Sequence, residues 1–501
     1  MAMTDVIMYG GIFMSKVLSG LEPARVFHFF EEICNIPHGT GNTGALREYI
    51  TAFAREKGLE SKSDEAGNIV INVPASKGAE NAATVLLQAH LDMVCEKNDD
   101  SRHNFRNDPL DLSVMDDDIY ARGTTLGAEG GAGVAICLAL LDSPEIVHPE
   151  LELVFTADEA LNMKGVQALD MSDLHAKHMI GFDSDDDGTI LTSSAGVLLG
   201  NMYVPVKYTT KSGLKYKIIV GGLHGGHAGT AIDSYQANAN IIMGRLLHFL
   251  GKSVDFHMTF LSGGLAQNAI PREADCRVLI EKKDAEKFES LISDFEKTIQ
   301  NEYRANEHNL MIYSDFLEEV ENEPVLFKKT QERVIFLLNT VPDGVQKTSQ
   351  EVDTKGMTET SINVSMMRCG ESEFFLQGSI RSSISSAKYA LSEKLRYLTE
   401  MIGGRYEETG DYPAWEYNEN SHLMAIMKEE YKREFGDSLI VKGVHAGREE
   451  GAFSQGIPGI DIASIGPEVQ KSRTPAEKLS ISSTLRTWKL LQSVLKRLAS
   501  E

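Results

Sequence analysis

Positive charge is scarce in this 501-residue chain: 49 Lys and Arg stand against 73 Asp and Glu, a formal net charge of −24. A surface that acidic repels phosphate backbones and anionic bilayers, so neither nucleic acid nor a membrane surface is expected as a partner. Cysteine is sparse as well. Cys34, Cys95, Cys137, Cys276 and Cys369 are odd in number and show no paired spacing. No disulfide framework is expected, and the chain suits a reducing, cytoplasmic compartment. No apolar run approaches the roughly 20 residues that a membrane span needs. The first residues carry apolar pieces but no basic stretch and no long apolar core, so they do not read as a secretory signal. Met14 offers an internal start, because the regular pattern begins near Leu18. There is no low-complexity segment.

What is present is ordinary globular material, with 42% hydrophobic residues, in a chain long enough for two or three domains. The first part alternates helix and strand patterns. Residues 22–35 and 43–57 read as amphipathic helices, and residues 68–73 as a strand entered through Gly67. Further strands are expected at 84–90, 151–157 and 178–183. A glycine-rich turn, 123–133, leads into a helix at 134–141. That alternation predicts an α/β fold: a mixed, mostly parallel sheet flanked by helices, with sites at the carboxyl ends of its strands. From about Asn201 the texture changes to strand-rich pieces around helices such as 235–250 and 285–301, a separate α+β domain. Near Gly403 the first texture resumes. The expected division is 1–199 plus 404–501 for the first domain and 200–403 for an inserted one.

Chemistry-bearing residues collect where the strands of the first domain end. The apolar run Thr84-Val-Leu-Leu-Gln-Ala leads into His90, and Asp92 follows two residues later. Residues two apart in a strand share a face, so the pair can converge on one point. Asp158 and Glu159 follow a second apolar run, and Asp183 a third; Glu129 lies in the glycine-rich turn. A histidine among several carboxylates is the material of a zinc or manganese site, and adjacent carboxylates can divide into ligand and base. The same residues also suit strand-end loops that face solvent in an acidic chain, and for any one of them that plainer reading stands.

Taken in order, His90-x-Asp92, Ala121-Arg-Gly-Thr-Thr-Leu-Gly, Asp158-Glu159 and Phe182-Asp183-Ser184 resemble the di-zinc metallopeptidases of carboxypeptidase G, aminoacylase and carnosinase type. The branch they resemble most is the bacterial aminoacyl-histidine dipeptidases. Gly225-Gly-His-Ala-Gly, Asn268-Ala-Ile-Pro-Arg-Glu, Tyr412-Pro-Ala-Trp and His445-Ala-Gly carry the resemblance through the rest of the chain. It implies hydrolysis of dipeptides by metal-activated water, and two metals, zinc above all, with manganese or cobalt as substitutes. His90 and Asp183 would hold one metal, residue 129 would bridge both, and Glu159 and residue 473 would complete the second. Asp92 would orient His90, Asp158 would be the general base, and His227, on the inserted lid domain, would polarise the scissile carbonyl. Asn268, Arg381, His445 and Glu449 fall in segments that line the substrate cleft of such enzymes. A dipeptide or small amino-acid-like ligand, and a homodimer formed through the lid, are implied in the same way.

Three positions depart from the family pattern. Glu129 stands where Asp is usual, and its carboxylate lies about 1.5 Å further out, one carbon–carbon bond. Asp158 stands where the base is usually Glu, and reaches less far. Arg473 stands where the last ligand is His. A guanidinium stays protonated and has no acceptor lone pair, so it cannot ligate a metal. It can pair with Glu159 or Glu129 and stand in for the cation. The expectation is at most one metal per chain, held by His90, Asp183 and Glu129, with none as the limiting case. A catalytically inactive homologue that keeps the fold as a ligand-binding or assembly protein is the alternative to a dipeptidase; altered chemistry on a related amide is a third reading. His224, His38 and Trp415 read as packing or boundary residues.

Overall fold

The computed structural model describes residues 17–501; the reading of Met14 as a start lies outside them. The chain divides into two compact units. One holds the described residues up to Leu191 with Asn420–Val441 and Gly456–Glu501; the other holds Thr192–Glu419 and Lys442–Gln455.

The first unit is built on a mixed sheet. Leu151–Thr156, Val85–His90, His178–Gly181 and Asp461–Ser464 run parallel side by side, and Ile69–Val73 adds an antiparallel neighbour beyond Leu151–Thr156. Every residue of Val85–His90 and of Leu151–Thr156 is buried. Strands covered on both faces read as continuous apolar runs, and these do. In register, His90 pairs with Thr156 and Gln88 with Gly181. The residues that follow each strand, Asp92, Asp158, Glu159 and Asp183, therefore leave the sheet at the same end.

The helix expected at 134–141 begins six residues earlier, as Ala128–Leu141. Glu129 is thus on a first helical turn and not in a loop. Gly127 turns the chain with φ +72°. Three of the glycines that suggested a turn, Gly130, Gly131 and Gly133, sit inside the helix, where each costs up to about 1 kcal/mol of propensity. Close packing requires two of them. A Cβ on Gly133 would lie 2.5 Å from Phe182 Cβ and 2.9 Å from Ala89 Cβ, and one on Gly130 would meet His90.

The second unit carries a nine-stranded antiparallel sheet whose long strands are Met311–Leu326, Tyr208–Gly221, Thr358–Cys369, Glu373–Ser382 and Gly196–Pro205. Helices Ala239–Gly251, Ala285–Glu302, Lys328–Thr340 and Ser385–Met401 contribute Leu246, Phe288, Leu337 and Leu395 to one apolar core with Ile218, Val278 and Leu376 of the strands. The helix expected at 235–250 begins at Ala239, because the Asn238 side chain accepts from the Asn240 and Ile241 amides and caps it there. This unit also extends past 403. Arg405–Tyr412 pairs antiparallel with Gly196–Pro205 and buries Tyr406 and Tyr412, so residues expected in the first domain belong to this sheet. Among the described residues no helix is long and apolar enough to cross a membrane.

Candidate active site

In the first unit the side chains at the strand ends form one acidic cluster around a single arginine. Arg473 donates from Nε to Glu129 Oε2 (2.7 Å) and from Nη2 to Glu129 Oε1 (3.1 Å) and Glu159 Oε2 (3.0 Å). One guanidinium fork thus spans both carboxylates that the family pattern assigns to the second metal. The two glutamate side chains are 11% and 10% exposed, that of Arg473 41%. Arg473 holds a left-handed φ of +62° and Lys471 one of +53°. For residues with a Cβ that conformation costs on the order of 1 kcal/mol each and persists only where surrounding contacts hold it. Burial works against the guanidinium charge, but Glu159 and Glu129 outweigh it and keep Arg473 firmly protonated. Burial also raises the Glu159 carboxyl, with His90 and Arg473 pulling it down.

His90 and Asp92 come together as the spacing predicted, through different atoms. The strand stops at His90, and the ring Nδ1 meets the Asp92 carbonyl oxygen at 2.9 Å, with the carboxylate at 3.8 Å. The Asp92 carboxylate is used elsewhere: it accepts from the Glu159 amide (2.8 Å) and the Thr40 hydroxyl (2.8 Å). Burial would raise this carboxyl, but His90, the amide and the hydroxyl hold it at about 2. Asp92 therefore ties the loop bearing Glu159 to the loop bearing His90. Burial alone would lower His90, but Asp92, Glu159 and Asp183 outweigh it and favour its charged form. Asp158 takes a left-handed φ of +53°, and its Oδ1 accepts from the Gly41 amide at 2.7 Å. Asp183 is buried, its amide against Ser464 Oγ.

These residues do not fit a two-metal centre. His90 Nε2 is buried without a hydrogen-bond partner, as a ligand nitrogen would be. Yet among the described residues no three His, Cys, Asp or Glu side chains are grouped so as to hold a metal ion. The cavity left between His90, Glu129, Gly130, Arg473 and Glu477 is about 10 Å³, room for about one water at most. The guanidinium fills the space instead.

Sequence reasoning missed Glu477. Its buried carboxylate accepts from the amides of Leu126 (2.9 Å), Gly127 (3.2 Å) and Ala128 (2.8 Å), closing the first turn of Ala128–Leu141. Four residues after Arg473, it anchors the other side of the Glu129 turn. Nothing local in the sequence marks it. The turn leaves no slack: a Cβ on Gly130 would lie 2.5 Å from His90 Cε1 and 2.5 Å from its carbonyl oxygen. Gly130→Ala is expected to lower stability by about 1–3 kcal/mol through overpacking, seen as a lower urea midpoint with an unchanged slope.

The second unit gathers another group. The short strands Gly226–His227 and Ala269–Ile270 pair, with His227 opposite Ala269, which sets His227 beside Asn268. On the long strands Arg381 lies opposite Ser361, and Ser361 Oγ is 2.7 Å from His445 Nε2. Arg381 is 5% exposed, and its Nε has no hydrogen-bond partner. Burial lowers it to about 10, still charged at neutral pH. Burial, and next the Arg381 charge, push His445 down to about 3. The result is a buried cation beside a neutral imidazole, a setting for an anionic group. Glu449 is buried at the start of Glu449–Gly456.

The family model for peptidase family M20/M25/M40 matches residues 86–497. The chain belongs to that family. It is 35% identical over 486 residues to the cytosol non-specific dipeptidase of Escherichia coli K12, covering 97% of this chain and 99% of that one. The crystal structure of the aminoacylhistidine dipeptidase of Vibrio alginolyticus superposes with a TM-score of 0.88 at 33% identity, covering 96% of this chain and 98% of that one. A Staphylococcus aureus tripeptidase shares the fold alone, with a TM-score of 0.54 at 17% identity. The mixed α/β fold and the dipeptidase-like ancestry expected from the motifs hold. Within this M20 scaffold, Arg473 bridges Glu129 and Glu159.

Proposed function

We propose that this chain recognises dipeptides or similar amino-acid ligands on an M20 dipeptidase scaffold, with Arg473 as a built-in cation in place of the second metal. The observation that carries this reading is the Arg473 fork across Glu129 and Glu159. Its charge does for those carboxylates what a metal ion would, but it supplies neither an open coordination position nor an activated water. Dipeptide recognition is supported by the near full-length likeness to two dipeptidases. The buried Arg381 supports it too, as a cation suited to a free carboxylate. His227, Asn268, His445 and Glu449 are proposed to serve that ligand from the second unit, which acts as a lid and dimerisation domain in a cytoplasmic homodimer.

A single-metal hydrolase is the second reading, favoured by the partnerless, buried His90 Nε2. There His90 and Asp183 would hold the metal and Asp158 would take the proton from water. Metal analysis and dipeptide calorimetry on the same preparation separate the readings. The expected result is fewer than one zinc, manganese or cobalt per chain, no hydrolysis of Xaa-His dipeptides with any of them added, and measurable dipeptide binding. Two metals per chain would overturn the proposal; one metal with turnover would establish the second reading. The triple variant Arg473→His, Glu129→Asp, Asp158→Glu is expected to raise the metal content to two.

A further inference from the structure

His227 sits on a loop whose ends are held by a residue far away in sequence. The loop leaves the sheet after Tyr208–Gly221 and rejoins regular structure at the Ala239–Gly251 helix. Glu307, whose side chain is fully buried, reaches both ends. Its Oε2 accepts from the His224 amide (2.9 Å) and from His224 Nδ1 (2.9 Å); its Oε1 accepts from the Ala237 amide (3.0 Å). The neighbouring Asn306 donates from Nδ2 to the Ser234 carbonyl at 2.8 Å. A buried carboxylate costs much in desolvation unless its oxygens are occupied, and three N–H donors occupy these. One charged group therefore closes the loop at its base.

Inside the loop the backbone is arranged around the imidazole. The amides of Gly229 and Thr230 both approach His227 Nδ1 at 3.2 Å. Two N–H donors aimed at one ring nitrogen require a lone pair there, so the proton sits on Nε2. Protonating Nδ1 would turn both contacts into donor–donor clashes. Side chains are excluded from the path. Gly226 holds φ +155°, and a Cβ there would lie 2.5 Å from Gln236 Oε1 and 2.8 Å from Ala231 Cβ. A Cβ on Gly229 would collide with the His445 carbonyl oxygen and lie 3.1 Å from His227 Cε1.

We propose that Glu307 is the positioning residue of this loop: by clamping residues 224 and 237 it holds the Gly229 and Thr230 amides on Nδ1 and fixes His227 as a neutral donor through Nε2–H. Such a group suits a carbonyl or carboxylate oxygen of a bound ligand and, unlike an imidazolium, adds no charge of its own. The inference rests on the dipeptide reading only for what Nε2–H meets. The tautomer can be measured without any ligand, so its failure is distinct from failure of that reading.

The test is nitrogen NMR of the full chain labelled in its histidine rings, with the His227 signals assigned by their loss in His227→Gln. The expected wild-type pattern is one tautomer, Nε2 protonated and Nδ1 bare. In Glu307→Ala the pattern is expected to average between tautomers. In Glu307→Gln, which keeps one acceptor oxygen, the change should be smaller. Affinity for a glycyl-histidine probe is expected to fall about tenfold in Glu307→Ala, about 1.4 kcal/mol. A wild-type ring protonated on Nδ1 would overturn the tautomer assignment whether or not the variants fold. A folded Glu307→Ala with an unchanged His227 pattern would overturn the role of Glu307.

Discussion

Arg473→Ala is expected to lower the stability of the first unit by about 2–3 kcal/mol at neutral pH. Removing one partner of a fully buried ion pair costs about 3–5 kcal/mol, because the charge left behind has neither water nor a counter-ion. Glu129 and Glu159 are near that limit, with side chains 11% and 10% exposed, and Asp183 adds a further buried acid close by. The guanidinium is 41% exposed, so solvent already screens part of its charge and the lower figure applies. Arg473→Lys should recover less than half of the loss, since an ammonium is a point charge and cannot hold both carboxylates in one planar fork. The measurement is the urea midpoint of the first unit's transition for wild type and both variants. A midpoint in Arg473→Ala equal to wild type would show that the fork is ornamental.

Acid is expected to destabilise the second unit through His445, the second large effect. An ordinary imidazole titrates near 6.5, whereas burial and Arg381 hold His445 at about 3. Between those values the unfolded chain binds a proton that the folded chain refuses. Stability from this group is complete above about pH 6.5 and is lost as the pH falls towards 3. The gap corresponds to about 3–5 kcal/mol. Asp343 acts with opposite sign. Burial pushes its carboxyl up to about 6 against the pull of the Val364 amide and Asn238. The folded chain therefore takes up that proton first, and stability rises as the pH falls from about 6 to about 4, by about 2–3 kcal/mol. The net loss is expected below about pH 4. His445→Gln should remove the loss while keeping a side chain able to meet Ser361 Oγ. Urea midpoints of the second unit at pH 7 and pH 3.5 check this. An equal drop in wild type and His445→Gln would place the acid sensitivity elsewhere.

The fold was legible wherever a pattern is local. Val85–His90 and Leu151–Thr156 read as apolar runs because both faces are covered, and the residues that follow them carry the cluster. The start of Ala128–Leu141 was not legible, since three glycines outweigh helix pattern in any local reading. Two of them, Gly130 and Gly133, are required because His90, Ala89 and Phe182, on or just past neighbouring strands, press against them. The boundary near 403 failed for a similar reason. Arg405–Tyr412 has one strongly exposed face and belongs to its sheet only through pairing with Gly196–Pro205, about two hundred residues earlier.

For the site, sequence alone determined the donor inventory and its contradiction. His90, Asp92, Glu129, Asp158, Glu159 and Asp183 are titratable groups at strand ends, and Arg473 cannot ligate a metal whatever surrounds it, because its missing lone pair is a covalent property. Tertiary structure decided what that arginine does. Its two carboxylate partners are 344 and 314 residues away, and no spacing rule connects them. The same holds for Glu477 on the Ala128 turn and Glu307 on the His227 loop. A carboxylate's chemistry is written in its own side chain. Which amide or guanidinium it answers is set by packing, and packing brings together residues that the chain order keeps apart.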